Sequence, residues 1–391
     1  MKYINELKGL LKRNIRDYGM YIALIVIMIT FQFLTGGLFM SSRNISNLLD
    51  SAGYIAVLAV GVMLVIVIRH IDLSIGFLAG FLGAVAAILL MQVGLPVYIV
   101  IPIILILGMC AGGVTGLLVA KVGIPAFVAT LAGWLIYRGA ILMATEKTGT
   151  IIVDNDAFNA IGNGYIPSIA EVGGLHLLSL IVGVIGILLY IYSSISSRRK
   201  KIKYEFDVVS KPIFVLQLLF VSGIMGYITW LLAGYNGFSW TVMIVLLVVL
   251  VYHFITTKTV IGRHIYAVGS NPEAAHLTGI NVGKITLLVF GSMGMLSALS
   301  GILFTARLQS ATTTAGTLFE LDAIAAAFVG GVSAAGGVGK VTGAVIGAVV
   351  MATLTNGMNL MGIGIAPQYM IRGGVLALAV IFDVMTRRQR A

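Results

Sequence analysis

The chain has 391 residues, of which 59% are hydrophobic and only 10% charged, against about a quarter charged in soluble domains. With a mean hydropathy of +1.06 and 48 Gly against 7 Pro, this excludes an ordinary soluble enzyme, a disordered chain, collagen and a coiled coil. What remains is an all-α, polytopic helical membrane protein, in which the net charge of +11 must be tested against membrane topology before nucleic acid is considered.

The first 18 residues are basic and partly acidic, without a small-residue cleavage site after the following apolar run. They read as a retained cytoplasmic segment. A spanning helix needs about 20 apolar residues. Twelve runs approach that length, at residues 19–38, 52–70, 75–92, 97–120, 124–143, 176–194, 213–233, 240–257, 285–305, 320–338, 341–359 and 368–385. About 10–12 transmembrane helices are therefore expected, with the Gly-rich pieces near 76–84 and 330–347 as candidates for broken or re-entrant helices. The single cysteine, Cys110, lies inside one of these runs, so neither an intramolecular disulfide nor a Cys-rich metal site can form.

Placing the N-terminus inside puts 20 Lys and Arg on the inner side and 5 (Arg43, Arg138, Lys147, Arg307 and Arg372) outside or near an outer end. Inverting the orientation would invert that ratio, so both termini are expected in the cytoplasm. The same split accounts for the net charge without nucleic acid. The outer loop 144–175 carries Glu146, Asp154, Asp156 and Glu171 against Lys147, a polar, acidic surface. The inner loop 195–212 is basic and reads as an anchor at anionic lipid. Trp134, Tyr137 and Arg138 fall near an outer end, where anchoring in the aromatic belt is the default. Residues 386–391 form a cytoplasmic tail.

The inner loop 258–284 has a defined shape. Either Ser270 caps a helix with Glu273 reaching back, or Asn271 caps it with Pro272 at the first helical position. Ala274 and Ala275 propagate the helix, and Gly279 suits a left-handed stop. About two turns of helix are marginal alone in water, so this one needs a surface to rest on.

Two stretches align at an offset of 263, pairing Gly76, Gly80, Ala84 and Val85 with Gly339, Gly343, Gly347 and Ala348. A pseudo-twofold internal repeat follows, with Gly76, Gly80, Gly339, Gly343 and Gly347 as helix-packing positions. Asp72, Ser74 and Ser333 interrupt the apolar runs there and are candidate pathway residues, with local capping of a broken helix as the alternative.

An energy source is harder to find. The run GGVGKV lacks the final Ser or Thr and the first Gly of a phosphate loop. The five histidines show no metal-ligand spacing, and Asp72, Glu320, Asp322 and Asp383 lie near the ends of runs rather than within them, which weakens ion coupling.

The segments HIDLSIGFLAG, GIPAFVATLAGWLIYRG, GRHIYAVGSNPEAAHLTGINV and FVGGVSAAGGVGKVTGAVIGA together resemble the permease subunits of monosaccharide ATP-binding-cassette (ABC) importers. The xylose-type or multiple-monosaccharide branch is the nearer, because of the extra hairpin at about 176–233. The resemblance implies a type II importer in a bacterial cytoplasmic membrane. Two permease copies would form the path, cytoplasmic ATPase subunits would bind the ATP and Mg, and a sugar-binding protein would dock outside, with no cofactor in this chain itself. It also implies that Ser270, Asn271, Pro272, Glu273, Ala274, Ala275 and Gly279 form the coupling helix seated in the ATPase. At Arg69 and His70 the chain departs from the small residues usual before IDLS. An ion-coupled secondary transporter, or an ABC permease for a nucleoside or other small ligand, are the alternatives.

The charge split makes one direct prediction. A cysteine placed at Asn155 in a Cys110→Ser background is expected to react with a membrane-impermeant thiol reagent added to intact cells; reaction only after permeabilisation would reverse the topology.

Overall fold

The computed structural model describes residues 15–388, so the segment 1–14 and the last residues of the tail, 389–391, lie outside the described residues. The helices, in chain order, are α1 (Ile15–Leu34), α2 (Ser42–Val67), α3 (Ile75–Met91), α4 (Val97–Leu117, continued by a π turn to Val122) and α5 (Ala126–Thr145). Next come α6 (Asp156–Asn163), α7 (Leu177–Lys203), α8 (Lys211–Ala233), α9 (Trp240–Lys258), α10 (Val260–Ser270) and α11 (Pro272–Leu277). The chain ends with α12 (Val282–Leu308), α13 (Phe319–Val329), α14 (Val341–Leu360) and α15 (Ile365–Arg388). Among the described residues, nine helices are long and apolar enough to cross a membrane, and the shorter apolar pieces Gly19–Leu34 and Ile75–Met91 add to them.

Burial orders the bundle. In α2, 89% of the most apolar stretch is buried inside the protein, against 6% for α15, so α2 is the central post and α15 faces outward. Helices α12, α13, α14 and α9 surround α2. Lipid offers no hydrophobic drive for helices to associate, so close backbone approach must supply the contact energy. Helices α4 and α12 meet in this way: a Cβ on Gly112 would collide with the Phe290 carbonyl, and one on Gly294 with the Gly108 carbonyl. Within the α7–α8 hairpin, Gly183 packs closely against Thr229.

Two expectations are corrected here. The run 320–338 is not one span but the 11-residue helix α13 followed by a turn at 330–340. Composition counts apolar residues, but Gly331 takes φ +85°, a left-handed conformation that ends a helix and suits glycine. The basic segment 195–212 is not a loop throughout, because α7 stays helical to Lys203, and the Arg198 guanidinium lies 4.6 Å from the Phe214 ring centre.

Both Gly-rich stretches are packing surfaces, with different partners and registers. A Cβ on Gly76 would strike the Glu320 carboxylate, and one on Gly80 the Ala315 carbonyl; on Gly343 and Gly347 it would strike the Gly330 and Ala326 carbonyls. Gly76 is the second residue of α3, whereas Gly339 precedes α14 and lies against Val67 and Met63. The offset of 263 therefore does not superimpose the two helix starts.

The two ends of the bundle differ. At one, β1 (Thr150–Ile152) pairs antiparallel with β4 (Ser310–Thr312), Ile151 opposite Ala311, while a small hairpin joins β2 (Glu171–Val172) to β3 (Leu175–His176). Helix α6 is capped by Asn155, which accepts from the Phe158 amide at 3.0 Å, and Asn163 donates to the Ala306 carbonyl at 2.8 Å. The long loop is thus folded down onto the end of α12 with Phe158 fully buried, while Glu146, Asp154, Asp156 and Glu171 remain exposed. At the other end lie α10, α11 and the turn 330–340.

The tight α4–α12 crossing yields a stability prediction. Gly112→Leu must push two backbones apart, and overpacking of this kind costs about 1–3 kcal/mol or more. The detergent-solubilised variant is expected to show a clearly lower Tm than Gly113→Leu, where nothing lies within 4 Å of the added atom; equal Tm values would refute the packing argument.

Candidate coupling site and polar path

Helix α10 starts where Thr259 accepts from the Gly262 amide at 3.2 Å. Its buried positions Ile265 and Val268 hold it against the bundle, a helix that no capping pattern had marked. Helix α11 follows after one residue. Of the two capping schemes, the structure adopts Asn271, whose side chain accepts from the Ala274 amide at 3.0 Å, with Pro272 at the first position. Ser270 is instead the last residue of α10, its hydroxyl donating to the Tyr266 carbonyl at 2.8 Å. Gly279 takes φ +85°, and the Ile280 amide donates to the Ala275 carbonyl at 3.0 Å, closing the helix.

The faces of α11 are distinct. Ala275 is 4% exposed and packs into the core, whereas Leu277 is 86% exposed and Glu273, Ala274 and His276 are also open. The outward apolar residue is therefore Leu277, which the capping pattern did not single out, and Ala275 is the inward anchor.

The anchorage is specific. The Gly337 amide donates to the Val67 carbonyl at 2.8 Å, joining the end of α2 to the turn before α14. A Cβ on Gly269 would collide with the same Val67 carbonyl. Arg69 then donates from Nε to the Gly269 carbonyl at 2.7 Å and from Nη2 to the Ser270 carbonyl. The Tyr266 hydroxyl donates to the Gly339 carbonyl at 2.7 Å, and burial pushes that hydroxyl above the ordinary tyrosine range, so it stays a donor. The end of α10 is thus bonded to both helix breaks, 68–74 and 330–340. Arg69 sits at φ +66°, where a non-glycine residue costs about 1–2 kcal/mol; its two carbonyl acceptors offset that strain.

The candidate pathway residues are not brought together. Asp72 Oδ1 accepts from the Ser74 amide at 2.9 Å and the Ser74 hydroxyl at 2.6 Å, a local turn leading into α3 beside Gly133. Ser333 lies instead with Asp383 of α15, whose Oδ2 accepts from the Ala334 amide at 3.1 Å and the Ser333 hydroxyl at 3.4 Å.

Other polar groups occupy the bundle interior. Asp50 on α2 accepts from the Ser239 hydroxyl and lies 3.8 Å from Arg307, which also donates to Asn47 at 3.2 Å and Asn163 at 3.1 Å. Glu320, 4% exposed, accepts from Trp134 Nε1 at 3.1 Å. Arg138 donates to the Thr313 carbonyl at 2.7 Å and stacks over Phe77. Trp134 and Arg138 are thus half-buried, each bonded to the stretch 313–320. Glu320 is buried because α13 starts beside Gly76, where an added Cβ would strike its carboxylate. Asp322 and Arg372 pair at 3.1 Å. A cavity of about 150 Å³ between α2 and α14 reaches this pair, and a second of about 130 Å³ between α13 and α15 reaches it from the other side. Thr355, Asn356 and Asn359 line the first; the run TNGMN within an apolar span was the available signal.

A buried post helix flanked by two interrupted neighbours, with nine helices long and apolar enough to span among the described residues, is the architecture of a polytopic helical membrane protein. The chain belongs to the family described as branched-chain amino acid transport system / permease component, whose model matches residues 44–380. It is 39% identical over 382 residues to the xylose transport system permease protein XylH of Escherichia coli K12, covering 97% of this chain and 95% of the relative. The XylH protein of Haemophilus influenzae is 39% identical over 378 residues, 96% and 98% of the two chains. The ribose import permease protein RbsC of E. coli K12 is 33% identical over 364 residues, 93% and 92%. No solved structure matches the chain.

The strained residue at the junction gives a test. Arg69→Gly loses the guanidinium bonds but relieves the left-handed strain, whereas Arg69→Ala loses the bonds and keeps it. The Gly variant is expected to be the more stable by about 1 kcal/mol, read as a higher Tm; an Ala variant of equal or higher Tm would remove the strain argument.

Proposed function

We propose that the chain is the membrane-spanning permease subunit of an ABC importer that carries a monosaccharide, xylose or a related pentose or hexose, into the cytoplasm. The observation that carries this reading is the capped helix α11, open on one face and bonded through α10 to both helix breaks. A helix that projects an apolar residue outward while its base is wired to the bundle interior is built to pass a partner's movement inward. The choice of sugar rests on the names of the xylose and ribose permeases to which the chain is similar.

In this reading the end with α10 and α11 faces the cytoplasm, supported by the basic end of α7 and by Lys258, Arg263 and Lys284 at the same level. Leu277, Glu273 and Ala274 meet a separate ATPase subunit that binds the ATP and Mg. The acidic loop on β1, α6 and β2 meets a sugar-binding protein outside, and a second copy completes the path. When α11 is displaced, the Gly269–Val67–Gly337 junction moves with it, and α3 and α14 start from that junction. The bundle then alternates between two packings of similar energy, each favoured by one partner.

The expected result is that labelled xylose enters liposomes only when the chain is reconstituted with its ATPase and binding protein and given ATP on the ATPase side. Leu277→Asp is expected to lower ATPase recovery on affinity purification and uptake by at least tenfold while leaving the Tm of the permease unchanged. Uptake by the chain alone under an ion gradient would instead identify a secondary transporter.

A further inference from the structure

The polar path itself can be taken further, on the footing of the importer reading just given. We propose that the Asp322–Arg372 pair is the closed septum of the monosaccharide path and, once parted, the site that binds the sugar hydroxyls.

Two half-open cavities, the second bordered by the exposed Leu321 and Tyr369, share Asp322, Met351 and Arg372 as lining, so these three side chains stand between them. Neither space approaches the roughly 300 Å³ at which pockets for drug-sized ligands begin; joined, they form one longer chamber. The wall is held by a single polar contact, Arg372 Nη1 to the two Asp322 oxygens at 3.1 and 3.4 Å. Arg372 Nε is buried there without a partner, so the guanidinium has donating capacity that its present contact does not use.

The chemistry around the wall suits a neutral polyol. Ionised groups at membrane depth are costly and face interiors or water where they have a task, and a purely structural pair would be replaced by apolar packing at little cost. The pair carries no net charge, so it does not select an ion. A sugar hydroxyl both donates and accepts, which matches a carboxylate beside a guanidinium, the Tyr54 hydroxyl, the Thr355 hydroxyl and the Asn359 amide on the cavity side. Asn356 is already satisfied, exchanging two bonds with Asn44 at 3.0 and 3.1 Å. Asn359 accepts from Gln368 at 2.7 Å and keeps its own N–H groups for a ligand.

The position also suits a gate. Asp322 lies in the first turn of α13, and the other end of that 11-residue helix runs into the 330–340 turn bonded to α10. A shift of the turn moves α13 as a rigid rod and draws Asp322 away from Arg372 on α15.

The test uses the full importer in liposomes, with Ala352→Trp to fill the first cavity and Arg372→Gln to unpair the wall. Both are expected to lower ATP-driven xylose uptake at least tenfold, with the ATPase stimulation by xylose-loaded binding protein kept within twofold. Loss of stimulation together with uptake would assign these residues to coupling, and wild-type uptake in both variants would empty the site; either overturns the proposal. Should a variant fail to assemble, Thr355→Cys in the Cys110→Ser background decides: xylose under turnover is expected to slow its labelling at least threefold, and an unchanged rate refutes the site. If the unmutated assembly carries no monosaccharide at all, it is the importer reading that falls, and this proposal with it.

Discussion

A helix that breaks beside lipid frees backbone groups that need another partner, and at the α11 end of this bundle two breaks meet. The fold meets this constraint by letting its two breaks satisfy each other. The Val67 carbonyl at the end of α2 takes the Gly337 amide from the turn before α14, and the residues around that bond are the ones to which α10 is tied. Irregular backbone, which elsewhere would be a weakness, becomes the point where an outside segment gains a hold on the interior. Arg69 extends the arrangement by supplying two donors to carbonyls at the end of α10.

The same solvent explains the glycines. Helices in lipid gain little from burying apolar surface against one another, so contact must come from closeness. Gly108, Gly112 and Gly294 bring α4 and α12 within backbone distance, and Gly343 and Gly347 do so for α13 and α14. Around this close-packed frame stand α7, α8 and α15, whose surfaces are mostly open. In the reading proposed above, α13 and α14 therefore move as one packed pair against α15.

What could be read from the sequence was what local rules govern. Composition and run length located the long helices, and the Asn271–Pro272 start and the Gly279 stop of α11 are short-range signals that the structure follows, Asn271 rather than Ser270 being the cap. What escaped was non-local. The Arg69 contacts span 200 residues of chain, and the Trp134–Glu320 bond spans 186. An apolar count could not detect that the turn after α13 consumes half of an expected span, nor that Glu320 is buried beside Gly76. Nor could it show that Asp72 is engaged by Ser74 and Ser333 by Asp383 of a helix 50 residues further on.

The ribbon of β1 and β4 joins segments about 160 residues apart on the surface opposite α11. Because β1 follows α5 and β4 follows α12, anything gripping that ribbon holds two distant helices by a shared handle. A protein pressing there does not need to reach the interior. In the reading proposed above, a binding protein seated there would load α5 and α12 together, and Gly133 of α5 lies against Ser74 at the start of α3. The two ends of the bundle thus carry unlike handles, one made of two strands and one made of a short helix.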